Sequence, residues 1–191
     1  MAEKSPARPP RVRSENDPFR AYEEQFVASP DPWAEIAKLD HGSDRTFGST
    51  VRAMVMNAEP AQRPAMEAKL LAALAAPGLT PVGQLFVCRM LALIGTAKCV
   101  PAVAALLLDN ATADAARFAL DAIEDPAVDA AYRGALGKLG GNAKAGLIGS
   151  IAQRGDRGAL EALKAMQADA KEPAAVRTAA ARAVERLTAK S

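Results

Sequence analysis

Apolar residues recur at helical spacing along most of the chain, and no segment alternates apolar and polar residues over the length of a strand. From Phe47 onward this pattern predicts a series of helices separated by short turns. The predicted helices cover residues 47–58, 61–75, 81–94, 100–108, 114–123, 126–139, 146–154, 157–168 and 173–188. We therefore expect an all-α fold.

Caps and helix breakers mark the predicted ends. Thr80-Pro81 and Asp125-Pro126 each place an N-cap side chain before a proline at the first helical position. Gly95 is expected to take the left-handed conformation that ends helix 81–94, and Gly140-Gly141 to break the chain. One stripe of helix 81–94 is predicted to face the core: Val82, Leu85, Phe86, Met90 and Leu93, widened by Val87, Leu91 and Ile94.

The first quarter of the chain differs from the rest. Residues 1–16 are rich in Pro, Arg and Ser, which predicts a disordered or extended arm. In residues 17–46, two Asp-Pro pairs at Asp17 and Asp31 predict short helices that form either a cap over the first repeat or a docking element. Residues 47–191 form the predicted repeat domain. The aromatic residues of the cap or docking element are Phe19, Tyr22, Phe26 and Trp33.

A helix–turn–helix unit recurs about every 30 residues. Segments 88–95, 117–124 and 149–155 each end a helix at a short turn, and segments 100–107 and 159–166 are second helices of the unit. The pattern, and the closing helix around residues 180–187, resemble HEAT repeats of the short bacterial type. The resemblance covers residues 47–188 and implies an α-solenoid of stacked antiparallel helix pairs. HEAT arrays mostly serve as protein-binding scaffolds, and some members are phycobilin lyases or DNA glycosylases.

Composition and charge reduce the range of functions to be considered. Alanine dominates the apolar half of the chain, which favours closely packed helices. The net charge of +2 argues against a nucleic-acid binder. No apolar run is long enough for a membrane span, and the N-terminus lacks a signal-peptide core, so we expect a cytoplasmic protein, or a periplasmic one if a signal peptide has been removed. Cys88 and Cys99 are expected to be small buried hydrophobes.

Candidate chemistry is sparse. Asp40, His41 and Asp44 share a polar loop, where three or four converging ligands would be needed for zinc. The glycine-rich segment 139–146 follows a helix and lacks the phosphate-binding Gly-Lys-Ser/Thr ending. The aromatic residues of the repeats, Phe86, Phe118 and Tyr132, fall at positions compatible with the core. We expect no enzyme activity, no cofactor and no metal.

The remaining hypothesis is binding of another protein, with a hetero-complex expected. Helix 100–108 has almost no charge, so Ala102, Ala105 and Leu106 are predicted to face outward as a patch for a partner helix, unless the aromatic helix or a turn covers them. Arg133 and Lys138 supply a polar rim. The arm, through Arg8, Arg11 and Arg13, is either a solvated leader or a segment that lies on an acidic partner or on RNA.

We therefore expect a non-catalytic scaffold or accessory subunit. The alternatives are an accessory lyase-type enzyme subunit and a nucleic-acid binder that uses the basic arm. The scaffold hypothesis predicts that deletion of residues 1–40 abolishes complex formation and leaves the helical array folded.

Overall fold

A computed structural model of the chain describes residues 31–42 and 44–189. These residues contain ten α-helices that pack against one another and no strand, which confirms the all-α class for this part of the chain. The helices are α1 (Pro32–Glu35), α2 (Thr46–Met56), α3 (Arg63–Leu74), α4 (Pro81–Ile94), α5 (Val100–Ala105), α6 (Ala113–Asp121), α7 (Pro126–Ala135), α8 (Gly141–Arg154), α9 (Leu160–Ala168) and α10 (Ala174–Thr188). Short 3-10 segments occupy Ile36–Lys38, Ala97–Cys99, Leu106–Leu108 and Arg157–Ala159.

The capping chemistry predicted at two helix starts is present. The Thr80 hydroxyl accepts a hydrogen bond from the Gly83 amide, and α4 begins at Pro81. The Asp125 carboxylate accepts one from the Ala127 amide at 2.8 Å, and α7 begins at Pro126. Each cap satisfies an amide that has no partner within its own helix, so both helices start where the sequence places them.

Helices separated by one element along the chain pack side by side. In this way α2 contacts α4, α4 contacts α6, α6 contacts α8, and α8 contacts α10. The shorter α5 contacts α7, while α3 packs on α4 and α9 packs on α10. A continuous hydrophobic core runs through these contacts from Trp33 to Leu187.

Residues 32–39 belong to this core. Trp33, Ile36 and Leu39 are buried in it. The Thr80 amide donates to the Ala37 carbonyl at 3.0 Å, and its hydroxyl donates to the Leu39 carbonyl. The sequence predicted that the helical array would stay folded after deletion of residues 1–40. That deletion would remove these core side chains and the backbone hydrogen bond from Thr80, at the start of α4, to Ala37.

The predicted helix end at Gly95 is confirmed, since α4 ends at Ile94 and Gly95 is its C-cap, but the predicted left-handed conformation is wrong. Its backbone is extended, with φ −63° and ψ 147°. Glycine is required there for space, because a Cβ would lie 2.5 Å from the Leu91 carbonyl oxygen and 3.0 Å from the Cys99 sulfur. The left-handed helix end occurs instead at Gly155, with φ 74°, after α8.

Two predictions of which side chains are buried, and one prediction of where a helix begins, also need correction. The core face of α4 is rotated relative to the predicted stripe, so that Leu85 and Leu93 are exposed. Phe118, expected in the core, is 55% exposed. Helix α8 begins at Gly141 rather than at residue 146. Its first turn contains the buried Lys144, which pairs with Glu172 at 2.5 Å and interrupts the apolar pattern in the sequence.

None of the helices in the described part of the chain combines the length and the apolar character that a membrane crossing requires.

Candidate interaction surface

The segment from Val100 to Leu108, which comprises α5 and the 3-10 turn after it, contains no polar side chain. Val100, Val103 and Leu107 are buried in the core. Ala102 and Ala105 are exposed, as predicted, whereas Leu106 is half-buried against the core. The other exposed residues are Pro101 and Leu108, the latter 47% exposed. The solvent face of this segment is therefore entirely apolar.

Polar groups just beyond the segment fix its end. The Thr112 hydroxyl donates to the Leu106 carbonyl at 2.6 Å, which satisfies an acceptor that the helix leaves open. The Asp109 carboxylate accepts from the Ala111 amide at 2.9 Å and so shapes the turn. The apolar face ends in a defined turn at Asp109.

Helix α7 contacts α5 and also carries small exposed residues. Its exposed residues include Ala127, Ala130 and Gly134, and Gly137 follows in the next turn. A Cβ at Gly134 or Gly137 would meet no atom within 4 Å, so packing within the chain does not require glycine at either position. Small side chains on adjacent helices let another backbone approach closely.

A buried polar cluster holds α7 against α6 and α8. The Tyr132 hydroxyl donates to the Asp121 carboxylate at 2.8 Å, and the Ser150 hydroxyl donates to the other oxygen of Asp121 at 2.9 Å. Arg117 adds longer contacts to Asp121 and Ser150, both at 3.4 Å. Burial, and then the charge of Asp121, raise the pKa of Tyr132 far above its usual value. Ser150 is buried and no histidine lies in this cluster, so the arrangement is suited to joining three helices.

Arg154 of α8 joins the end of α6 to the start of α7. Its guanidinium donates to the carbonyls of Ile123 at 2.9 Å and Asp125 at 3.1 Å, and it pairs with the Asp129 carboxylate. These contacts satisfy carbonyl groups in the α6–α7 turn. Arg154 thus fixes the start of α7 relative to α6 and α8.

The two residues of the predicted polar rim, Arg133 and Lys138, differ in their surroundings. Arg133 is exposed, but its guanidinium already binds both oxygens of Asp156 at 2.6 Å. Asp156 also caps the next 3-10 turn through the Gly158 amide. Lys138 is exposed. Of the two cations, Arg133 therefore links α7 to the α8–α9 turn, and Lys138 keeps its charge at the surface.

The structure places the remaining predicted residues away from this surface or does not describe them. Trp33 is only 8% exposed, and the Lys69 ammonium lies 5.1 Å from the centre of its ring. Trp33 is thus a core residue rather than an exposed docking side chain. Six predicted binding residues lie outside the described part of the chain: Arg8, Arg11, Arg13, Phe19, Tyr22 and Phe26.

The loop around His41 is exposed and its acids serve local turns. Asp40 accepts from the His41 amide at 2.7 Å. Asp44 accepts from the amide and hydroxyl of Thr46, at 2.8 and 2.6 Å, and these hydrogen bonds lower the pKa of Asp44. Across residues 31–42 and 44–189, no three His, Cys, Asp or Glu side chains are grouped to hold a metal ion.

Sequence reasoning missed several exposed apolar residues. Leu108 could have been found, since it follows Ala105 by three residues and so shares its side of the helical segment. The exposed positions of Leu85, Leu93 and Phe118 could not, because each also fits a core stripe at helical spacing. Which stripe is buried depends on how neighbouring helices pack.

No family model, curated protein or solved structure matches the chain.

Proposed function

We propose that this chain is a non-catalytic scaffold, a short HEAT-like array of helix pairs that binds another protein through the exposed face of α5 and α7. This face, hereafter the α5 face, consists of Pro101, Ala102, Ala105, Leu108, Ala127, Ala130 and Gly134. The proposal also includes the prediction that the N-terminal arm, residues 1–16, helps to bind the partner.

The order of helix contacts supports the array. In a solenoid, the first helix of each pair packs on the first helix of the next pair. The series α2, α4, α6, α8 and α10 has such contacts at every step, and α5 with α7 supplies one contact between second helices. An array of this kind presents the exposed faces of its second helices side by side, and α5 and α7 are such helices.

The single observation that carries the proposal is the absence of any polar side chain from Val100 to Leu108. A helix at the surface of a globular protein normally has a polar face, and an entirely apolar helix is normally buried. Here the helix is buried on one side only, with Leu108 47% exposed on the other. An exposed apolar surface between polar residues is typical of a protein-binding site.

The size of the surface residues indicates the kind of contact. Alanine and glycine contribute little area each, whereas full burial of a leucine contributes about 1.5–3 kcal/mol. Leu108 would therefore act as an anchor, and the flat part of the surface would let a partner helix approach closely. Ala102 and Ala105 lie where such a helix would contact α5.

A charge placed at Ala102 tests the proposal. Full-length tagged protein is purified from its source cells together with its bound proteins, as the native sequence, as Ala102→Glu and as Ala162→Glu. Both alanines are exposed and each is the third residue of a short helix, which makes Ala162→Glu a matched control. A glutamate in the first turn is compatible with the helix dipole in both helices.

We expect a stoichiometric protein partner with the native sequence and with Ala162→Glu, and its loss with Ala102→Glu at an unchanged melting temperature. Retention of the same partner by Ala102→Glu would refute binding through the α5 face. The absence of any stoichiometric partner from all three proteins would refute the scaffold function.

A further inference from the structure

A second exposed surface lies on helices α2, α4 and α6, which contact one another in that order. Its apolar residues are Met56 on α2, Leu85 and Leu93 on α4, and Phe118 on α6. Leu93 is 53% exposed and Phe118 is 55% exposed. Isolated exposed leucines are ordinary, but large apolar side chains on three adjacent helices form an unusual concentration.

The residues of α4 form one straight row. Leu85, Arg89 and Leu93 are spaced by four residues, so they lie above one another along the helix. At 1.5 Å per residue the row is about 12 Å long, or roughly two turns. Two turns is the length over which a docked helix presents anchors at positions i, i+3 or i+4, and i+7.

Helix α2 packs beside α4. A Cβ on Gly48, in the first turn of α2, would lie 3.5 Å from the ring of Phe86, near the start of α4. Arg52 and Met56 follow Gly48 at intervals of four residues and are exposed. An exposed arginine and an exposed large apolar residue thus recur on both helices.

The charge of this surface has one sign on α2 and α4. Neither helix contains an Asp or a Glu, and Glu59, the first carboxylate after α2, lies in the following turn. Arg52 and Arg89 make no hydrogen bond or ion pair with any residue that the structure describes. On α6, by contrast, Arg117 pairs with Asp114 and Asp121. The two arginines of α2 and α4 are therefore available to a carboxylate of a partner.

We propose that this second surface, the α4 surface, docks an amphipathic helix of another protein that carries Asp or Glu beside its apolar row. It consists of Arg52, Met56, Leu85, Arg89, Leu93 and Phe118. The leucines, Met56 and Phe118 accept the apolar row of the partner, and Arg52 and Arg89 bind its carboxylates. Nucleic-acid binding is less well matched, because phosphate contacts call for a group of cations and here two arginines stand among four apolar side chains.

The α4 surface shares no residue with the α5 face. Either proposal can therefore fail while the other stands, and variants of one surface serve as controls for the other.

A selection from displayed peptides tests the docked helix directly. The probe is a library of 18-residue peptides with leucine fixed at amphipathic-helix spacing and all other positions randomised. Binders are selected on the full-length chain and counter-selected on Leu85→Ser/Leu93→Ser. Affinities of the selected peptides are then measured by fluorescence anisotropy for the native chain, this double variant, Arg89→Ala and the control Leu108→Ser on the α5 face.

We expect enriched peptides to be acidic, with affinity about tenfold or more lower for the double leucine variant. Arg89→Ala should reduce affinity about two- to fivefold, as for an exposed ion pair, and Leu108→Ser should leave it unchanged. The proposal is overturned if no peptide is enriched, if the enriched peptides lack an acidic bias, or if they bind the double variant equally well. Binding of a 20-nucleotide single-stranded RNA that depends on Arg52 and Arg89 would overturn it in favour of a nucleic-acid site.

Discussion

Tyr132 has the largest of the fully buried side chains in the described part of the chain, and its hydroxyl donates a hydrogen bond to the Asp121 carboxylate. The phenol must stay protonated to donate to Asp121, and burial together with that negative charge raises its pKa. In the unfolded chain the tyrosine would titrate near its usual pKa of about 10. The residue thus couples the α6–α7–α8 contact to pH.

Replacing Tyr132 with phenylalanine should lower the free energy of unfolding at pH 8 by about 1–3 kcal/mol, since Asp121 loses a buried donor. Above pH 10 the unfolded native chain releases the phenol proton while the folded chain keeps it, so native stability falls as pH rises. Tyr132→Phe lacks this component, and its deficit should shrink between pH 8 and pH 10.5. Urea denaturation at both pH values measures the difference, and a constant deficit would contradict the assignment.

Two glycines, Gly95 just after α4 and Gly149 within α8, should respond in opposite directions to substitution by alanine. Gly95→Ala forces a Cβ against the Leu91 carbonyl and the Cys99 sulfur, and should destabilise the fold by about 1–3 kcal/mol. Gly149, in the middle of α8, is exposed and a Cβ there meets no atom within 4 Å. Gly149→Ala should stabilise by about 0.5–1 kcal/mol. Thermal melts of both variants check the signs, and a neutral Gly95→Ala would contradict the close packing.

At the scale of helices and turns, local chemistry determined what could be predicted. The starts of α4 and α7 follow from Thr80-Pro81 and Asp125-Pro126, because a cap and a proline act within one turn. The helix end at Gly95 was predicted correctly, but its left-handed conformation was not. Glycine is required there by close contacts with the Leu91 carbonyl and the Cys99 sulfur, which the pattern of apolar residues does not show. The early start of α8 was missed because a lysine within an apolar pattern normally indicates an exposed position. Lys144 can be buried because it pairs with Glu172, which lies beyond α9 in the sequence.

In the candidate sites too, features set by neighbouring residues were predictable, and features set by contacts distant in the sequence were not. The exposed alanines of α5 were predictable, since the helix has no polar residue to place outward. Trp33 was predicted to belong to a cap or a docking element because aromatic residues concentrate in the first quarter of the chain. Its burial depends on α1 packing against α2 and α3, which involves residues distant along the sequence.

The short α1 region should be essential for the fold of the described part of the chain. Deleting residues 1–39 rather than 1–31 removes Trp33, Ile36 and Leu39, at roughly 1.5–3 kcal/mol for each buried side chain. The sum is comparable with the total stability of a typical domain. We expect the 1–39 deletion to lose cooperative melting by circular dichroism and the 1–31 deletion to retain it. Equal melting temperatures would show that α1 contributes little.

For the molecule as a whole, the contacts from α2 to α10 are those expected of the proposed array, and its two proposed binding surfaces share no residue. One, on α5 and α7, is uncharged and consists mainly of small residues with Leu108, and the other combines apolar side chains and arginine on α2, α4 and α6. Surfaces of different chemistry favour different partners or different segments of one partner. On this account the chain joins other proteins together through a framework of buried helices.

The most direct test of the scaffold function is site-specific photo-crosslinking in source cells. A photoreactive residue replaces Ala105 on the α5 face or, as a control, Ala165 on α9; both alanines are exposed in short helices. The scaffold proposal predicts a discrete crosslinked product with a second protein from position 105 and none from position 165. No discrete product from position 105, or the same products from both positions, would contradict it.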